Sequence, residues 1–350
     1  MYFASDNTAG MAAEILAALG TANTGYTLGY GNDDWTRRVE QRFAELFEKD
    51  VAVFLVPTGT AANALALSHV TPPWGAVLCH AESHVATDEC GAPEFFGGGI
   101  KLVGLAGEGA KISAATLRAA LGGQWGGPHH VTPAALSLSQ ATECGTIYRV
   151  AEVKELAEIA RARSVVLHMD GARIGNALAR MNVSAAEFTW KAGVDVLSFG
   201  ATKGGAMGAE AVIFFDPKRG ANMQDRRKRG GALASKHRFI AAQMEAFLQG
   251  DLWLRLARHA NAMADALAAG LTAAGCKPVW LVEANEIFVP LPAAIDGKLK
   301  AAGASYYPWK TESLPGGLSI PRDQTLVRLV TSFQTAKEDV DRFLAIVRAR

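Results

Sequence analysis

Cysteine is scarce in this chain, and neither sign of charge is in excess. The four cysteines, Cys79, Cys90, Cys144 and Cys276, are widely spaced with no CxxC pair. That argues against a disulfide framework or a thiolate zinc site and fits a reducing compartment, so a cytoplasmic address is expected. Lys and Arg number 35 against 34 Asp and Glu, a formal charge of +1, so no broad basic field is present to attract nucleic acid or an anionic membrane. No apolar run approaches the roughly 18 residues that span a bilayer, and no basic-then-apolar leader opens the sequence, which predicts a soluble protein. Internal repeats and low-complexity tracts are missing as well. So are a GxGxxG after the first strand and a GxxxxGK[ST], which ranks a nucleotide-binding α/β protein low.

What the chain does have is material for burial: 49% of its 350 residues are hydrophobic, enough for a large domain and a smaller one. Short runs rich in Val, Ile, Leu and Phe predict strands at 51–56, 75–79, 100–105, 134–139, 164–170, 194–200 and 209–215. Between them lie helical stripes such as Val39, Phe43, Leu46, Phe47 and Val153, Leu156, Ile159, Ala160. This alternation predicts an α/β fold with a seven-stranded, mostly parallel sheet covered on both faces. After about residue 216 the texture changes to a basic segment, long Ala- and Leu-rich helices over 232–275, and apolar runs IFVPLP, ASYYPW and TLVRLVTSF before a last amphipathic helix over 336–349. The expected division is a large domain with an N-terminal arm over 1–245 and a smaller α+β domain over 246–350.

Ligands of open α/β sheets bind where strands end and helices begin, which directs attention to three segments. After the first strand, Thr58, Gly59 and Thr60 turn into a helix, and N–H groups at such a start suit a phosphate dianion; a plain threonine cap accounts for the same residues. Asp170 ends a buried strand and needs a partner if ionised; it reads either as a ligand to a cation or as a cap ion-paired with Arg173. Lys203 follows the next strand among glycines, alanines and a methionine. An ammonium in apolar surroundings loses hydration and tends toward the nucleophilic neutral amine. Gly204, Gly205 and Ala206 are expected to leave room for a flat ligand beside it. An anion site, a carboxylate and an amine in this order are what pyridoxal 5'-phosphate requires.

The strings SDN, YGNDDWTRRVE, VPTGTAANALAL, HAESHVATDE, HMDGARIGNA, ATKGGAMGAEAV, SKHRF and VRLVT resemble, in order and spacing, the L-threonine aldolases of the aspartate-aminotransferase fold. The resemblance runs from about residue 4 to the C-terminus, and HxDGAR, TKG and SHxATDE are its most specific parts. It implies a pyridoxal-phosphate enzyme that cleaves L-β-hydroxy-α-amino acids to glycine and an aldehyde. Lys203 then carries the Schiff base, Asp170 meets the pyridinium nitrogen, and His84 lies against the ring and assists proton transfer. Thr58, Gly59 and Thr60 hold the phosphate, while Arg173, Arg328 and Ser5 bind the substrate carboxylate. Ser5 also reads as an ordinary turn residue, and Arg328 as a strand residue snorkelling to the surface. Tyr30 and Lys236 match positions that reach a neighbouring subunit's site, the lysine toward the phosphate, which implies a homodimer or homotetramer; both also read as ordinary surface residues.

One segment departs from the family. Where relatives often carry Glu-Asn-Thr-His, this chain has Gln140, Ala141, Thr142 and Glu143. The second family histidine, which meets the substrate hydroxyl, then falls best on His130, with His129 beside it. Another pyridoxal enzyme of the same fold, a β-eliminating lyase or an aminotransferase, would share Lys203 and Asp170. A non-catalytic protein that retained the fold is a further alternative.

Overall fold

A computed structural model describes residues 1–310 and 314–349. All seven expected runs form strands: β1 (Ala52–Val56), β2 (Gly75–His80), β3 (Lys101–Leu105), β4 (Thr132–Ser139), β5 (Val166–Gly171), β6 (Val196–Gly200) and β7 (Glu210–Phe214). They make one sheet in the order β1-β7-β6-β5-β4-β2-β3. The pairs β2–β3, β2–β4, β4–β5 and β5–β6 are parallel, whereas β7 runs antiparallel to both β6 and β1. The reason lies in length. Only residues 201–209 separate β6 from β7, and a parallel crossover needs about a dozen residues or more, so the chain must fold straight back. That return carries Lys203.

Helices cover both faces. The helix Gly59–Val70 is buried along Ala62–Ser68, as its continuous apolar sequence dictates. On the other face Phe43, Phe47, Phe199, Phe215 and Trp253 share the main core, with Phe43 and Phe199 packed edge to face at 5.2 Å.

A second sheet comprises β8 (Glu286–Pro292), β9 (Tyr307–Pro308) and β10 (Gln324–Val330), all antiparallel in the order β8-β10-β9. Of the run ASYYPW only two residues pair as strand. Val327 and Leu329 point into a core with Ile287, Val289 and Phe343, so the alternation of β10 turns Leu326 and Arg328 to the opposite face, toward the large sheet.

Two features cross the expected division. Met1 and Phe3 pack in the smaller core, where Phe3 bonds to Ser305 and Val330, because the first residues cross to that unit before the chain enters the larger one. A boundary at 245/246 would cut the helix Arg238–Leu248. The following helix, Leu252–Ala273, instead spans both cores, with Trp253 in one and Leu267 and Leu271 in the other. No helix among the described residues is long and apolar enough to cross a membrane.

Candidate active site

The carboxyl ends of β1, β4, β5 and β6 and the start of β7 share one edge of the sheet. A cleft of about 570 Å³ opens there, closed on its far side by Glu286, Trp309 and Arg328 of the smaller unit. Thr58, Gly59, Thr60, His84, Asp170, Arg173, Lys203, Ser5 and Arg328 all line it. Residues more than 300 positions apart therefore meet in one cavity.

The ammonium of Lys203 makes no hydrogen bond or ion pair among the described residues, although the carboxylates of Asp6 and Glu210 act on it through space. Its small neighbours serve packing rather than ligand space, contrary to expectation. A Cβ on Gly204 would come within 2.7 Å of the Phe247 ring, and Gly205 adopts φ +133 against Leu256 and Ala12. The tight return between β6 and β7 needs these approaches. Glu210, facing Lys203 from the start of β7, accepts the Thr202 N–H, and burial pushes its carboxyl up to about 7.

Asp170 is buried and does not pair with Arg173. Its Oδ1 accepts the Ala172 N–H at 3.0 Å and its Oδ2 accepts Asn63 Nδ2 at 2.8 Å. The same Asn63 amide donates to Glu89 Oε1 at 2.8 Å, and Glu89 holds His84 Nδ1 at 2.9 Å. Hydrogen bonding to Glu89, more than any other influence, raises the His84 pKa against the opposing effect of burial. Beneath Asp170, His168 bridges Ser137 and Ser198; burial drives its pKa down to about 4 and keeps it neutral.

Arg173 reaches away from Asp170 to Asp6, with Nε–Oδ2 at 2.7 Å and Nη2–Oδ1 at 2.9 Å, and to Glu286 at 3.3 Å. Burial alone would raise the Asp6 pKa, but Arg173 and then Lys203 outweigh it and hold the carboxylate below its ordinary range. Arg328 lies 3.9 Å from Glu286 and 4.6 Å above the Trp309 ring, and its buried Nε has no partner among the described residues. At the opposite end, Thr58 caps the helix Gly59–Val70 by accepting the Ala61 N–H, which leaves the N–H groups of Gly59 and Thr60 uncommitted. A Cβ built on Gly59 meets nothing within 4 Å. That helix start is open to the cleft.

Comparison with known proteins bears directly on this arrangement, since a family model described as Beta-eliminating lyase matches residues 2–294. The chain belongs to the β-eliminating lyase family. The low specificity L-threonine aldolase of Pseudomonas aeruginosa is 44% identical to this lyase over 307 residues, covering 87% of this chain and 88% of the other. The protein of the same name from Pseudomonas sp. is 42% identical over the same shares. The threonine aldolase structure from Leishmania major superposes with a TM-score of 0.92 at 28% identity, covering 99% of this chain and 98% of that one.

Three expected site residues of the lyase lie outside the cleft. His130 lies two residues before β4, whose eight residues run from Thr132 to Ser139 at the cleft, a span of roughly 23 Å. Neither it nor His129 is among the residues that line the cleft of their own chain. Tyr30 and Lys236 sit side by side on the surface, where the Tyr30 N–H bonds to Ser235 O at 3.0 Å. Conversely, Asn63, Glu89, Glu143, Glu210 and Glu286 line the cleft without having been singled out as ligands or catalysts. Two carried a usable signal: a lone amide inside the apolar helix AANALAL, and a lone carboxylate in the strand AEAVIFF.

Proposed function

We propose that this lyase cleaves L-β-hydroxy-α-amino acids, among them L-threonine, L-allo-threonine and phenylserines, to glycine and an aldehyde. It is a carbon–carbon lyase dependent on pyridoxal 5'-phosphate. The observation that carries the proposal is the meeting, in one cleft, of an unpaired lysine, a hydrogen-bonded buried aspartate and an open helix start. When bound, the cofactor supplies an electron sink for the bond that breaks at Cα.

The residues present fit that group. Lys203 offers the amine that would hold it, and the uncommitted N–H groups of Gly59 and Thr60, with the Thr58 hydroxyl, would take the phosphate. Asp170, aligned by Asn63 and the Ala172 N–H, would keep a ring nitrogen protonated. His84 would border the ring and move protons, its basicity set by Glu89. Arg328, with a donor to spare, and Arg173, with Ser5, would orient the substrate carboxylate, and orientation decides which bond at Cα is cleaved. Among the described residues lining the cleft, Lys203, Arg173 and Arg328 are the only lysines and arginines, so none is left over for the phosphate. This favours a homo-oligomer, dimer or tetramer, in which Lys236 and Tyr30 of a second copy complete the site. A cytoplasmic setting agrees with the scarcity and wide spacing of cysteine in the sequence.

Incubation of the cofactor-loaded protein with L-threonine, L-allo-threonine and a phenylserine is expected to release glycine and aldehyde in equal amounts. Release of ammonia and a keto acid instead would move the protein to the β-eliminating reaction that its family name describes.

A further inference from the structure

Cleavage at Cα–Cβ needs a group that accepts the β-hydroxyl proton, and among the described residues lining the cleft His84 is the single histidine. We propose that Glu143 is that proton acceptor, acting through Oε2 on the substrate β-hydroxyl. This inference rests on the aldolase reading and deepens it.

Glu143 stands in the loop that follows β4, which a local network fixes: the Thr142 N–H donates to Thr146 O, and both threonine hydroxyls donate to Gly109 O. Two donors then fix the carboxylate. Its Oε1 takes the Ser139 hydroxyl at 2.6 Å and the His84 N–H at 2.8 Å. Its Oε2 is covered and has no hydrogen-bond partner among the described residues, and a small turn of the carboxylate about the anchored Oε1 would present it to the cleft that the residue lines. A buried carboxylate oxygen without a donor is costly, and a substrate hydroxyl placed there would relieve that cost. The position is also the one at which this sequence substitutes an acid for the last residue of the Glu-Asn-Thr-His run.

The chemistry balances without any other reagent. Glu143 Oε2 takes the proton, the O–H electron pair becomes the second C=O bond of the aldehyde, and the Cα–Cβ pair stays on the glycine fragment. A proton returning to Cα completes glycine, and loss of the Glu143 proton to solvent resets the site. Burial, with Asp170 adding repulsion, pushes the carboxyl up to about 7 against the two hydrogen bonds that lower it. A base of that strength suits neutral pH. The neighbours Cys79, Cys144 and Tyr148 are pushed upward by burial and stay neutral there, whereas Glu210, across the same cleft, is also pushed up to about 7, so the limb that disappears in a Glu143 variant is the one that belongs to Glu143.

The test compares two reactions of the holoenzyme: cleavage of L-threonine, which needs the hydroxyl base, and exchange of the glycine α-proton with deuterated solvent, followed by NMR, which does not. Glu143→Gln keeps the shape and can still accept from Ser139 and His84. It is expected to lose about 100-fold or more in cleavage kcat, to keep glycine exchange within about threefold, and to lose the acid limb of the kcat/KM profile near pH 7. Glu143→His, placing another base there, is expected to recover part of the cleavage. Cleavage by Glu143→Gln within about fivefold of wild type would overturn the assignment, as would equal losses in cleavage and exchange by both variants, which would mark a purely structural residue. If wild-type enzyme makes no glycine from any β-hydroxy amino acid, the aldolase reading itself falls, an outcome separable from active wild type with an equally active variant.

Discussion

Asn63 donates to Asp170 Oδ2 at 2.8 Å and spends its other amide hydrogen on Glu89. The reverse orientation of the amide would set its oxygen against two carboxylates, so the bonds fix it. Through this one side chain the aspartate of β5 and the His84–Glu89 pair share a mechanical link.

Replacing Asn63 with Leu is therefore expected to release both carboxylates at once. Hydrogen bonds to charged groups contribute about 1.5–3 kcal/mol, which corresponds to a roughly 10- to 100-fold loss in cofactor affinity or turnover. Titration of the yellow absorbance and steady-state cleavage measure the two separately. Wild-type values in both would show that Asp170 holds its position without help.

Lys203→Ala should lose the yellow colour given by added pyridoxal phosphate and reduce turnover at least a thousandfold, on the order of what covalent catalysis contributes. Unaltered circular dichroism would separate this loss from unfolding, because the ammonium makes no hydrogen bond or ion pair among the described residues. Normal turnover by the variant would refute the role of this lysine.

The two cleft arginines should behave differently. Arg328 has a free donor, so Arg328→Ala is expected to raise KM for threonine and slow cleavage more than it weakens cofactor retention. Arg173 is locked to Asp6, and Arg173→Ala leaves that buried carboxylate uncompensated, a change that typically costs about 3–5 kcal/mol. A lowered melting temperature for Arg173→Ala and an unaltered one for Arg328→Ala is the expected pattern.

Acid should destabilise the protein in part through His168. Its pKa is depressed in the fold to about 4 from an ordinary 6.5, so below pH 6.5 the unfolded chain binds a proton that the native state refuses. Stability is fully present above pH 6.5 and is lost as pH falls through 4, by about 3 kcal/mol. His237, likewise lowered to about 4 by burial and then by Arg227, adds a similar slope. Urea unfolding between pH 4 and 7 should show a shallower decline for His168→Asn than for wild type, and an identical slope would refute the assignment.

Much of this architecture could be read from local pattern. Buried strands announce themselves as unbroken runs of Val, Ile, Leu and Phe, and all seven were recognisable. Lys203 and Asp170 stand out because a charged residue at the end of such a run needs an explanation. Contacts between distant segments were not legible. Nothing near Arg173 in sequence names Asp6, 167 positions away, as its partner, and spacing does not reveal that His130 stands at the wrong end of β4. The glycines after Lys203 also looked like empty space, whereas the nearby ring of Phe247 already fills it.

The helix Leu252–Ala273 has a remaining consequence. At about 1.5 Å per residue it is a rod roughly 33 Å long, its first turns embedded among the aromatic rings under the large sheet and its last among the side chains behind β8 and β10. Neither half of the molecule can melt while leaving that shaft intact in the other. Heating should therefore give a single calorimetric peak, and a substitution such as Leu267→Ala, remote from Lys203, should lower the temperature at which the cleft itself comes apart.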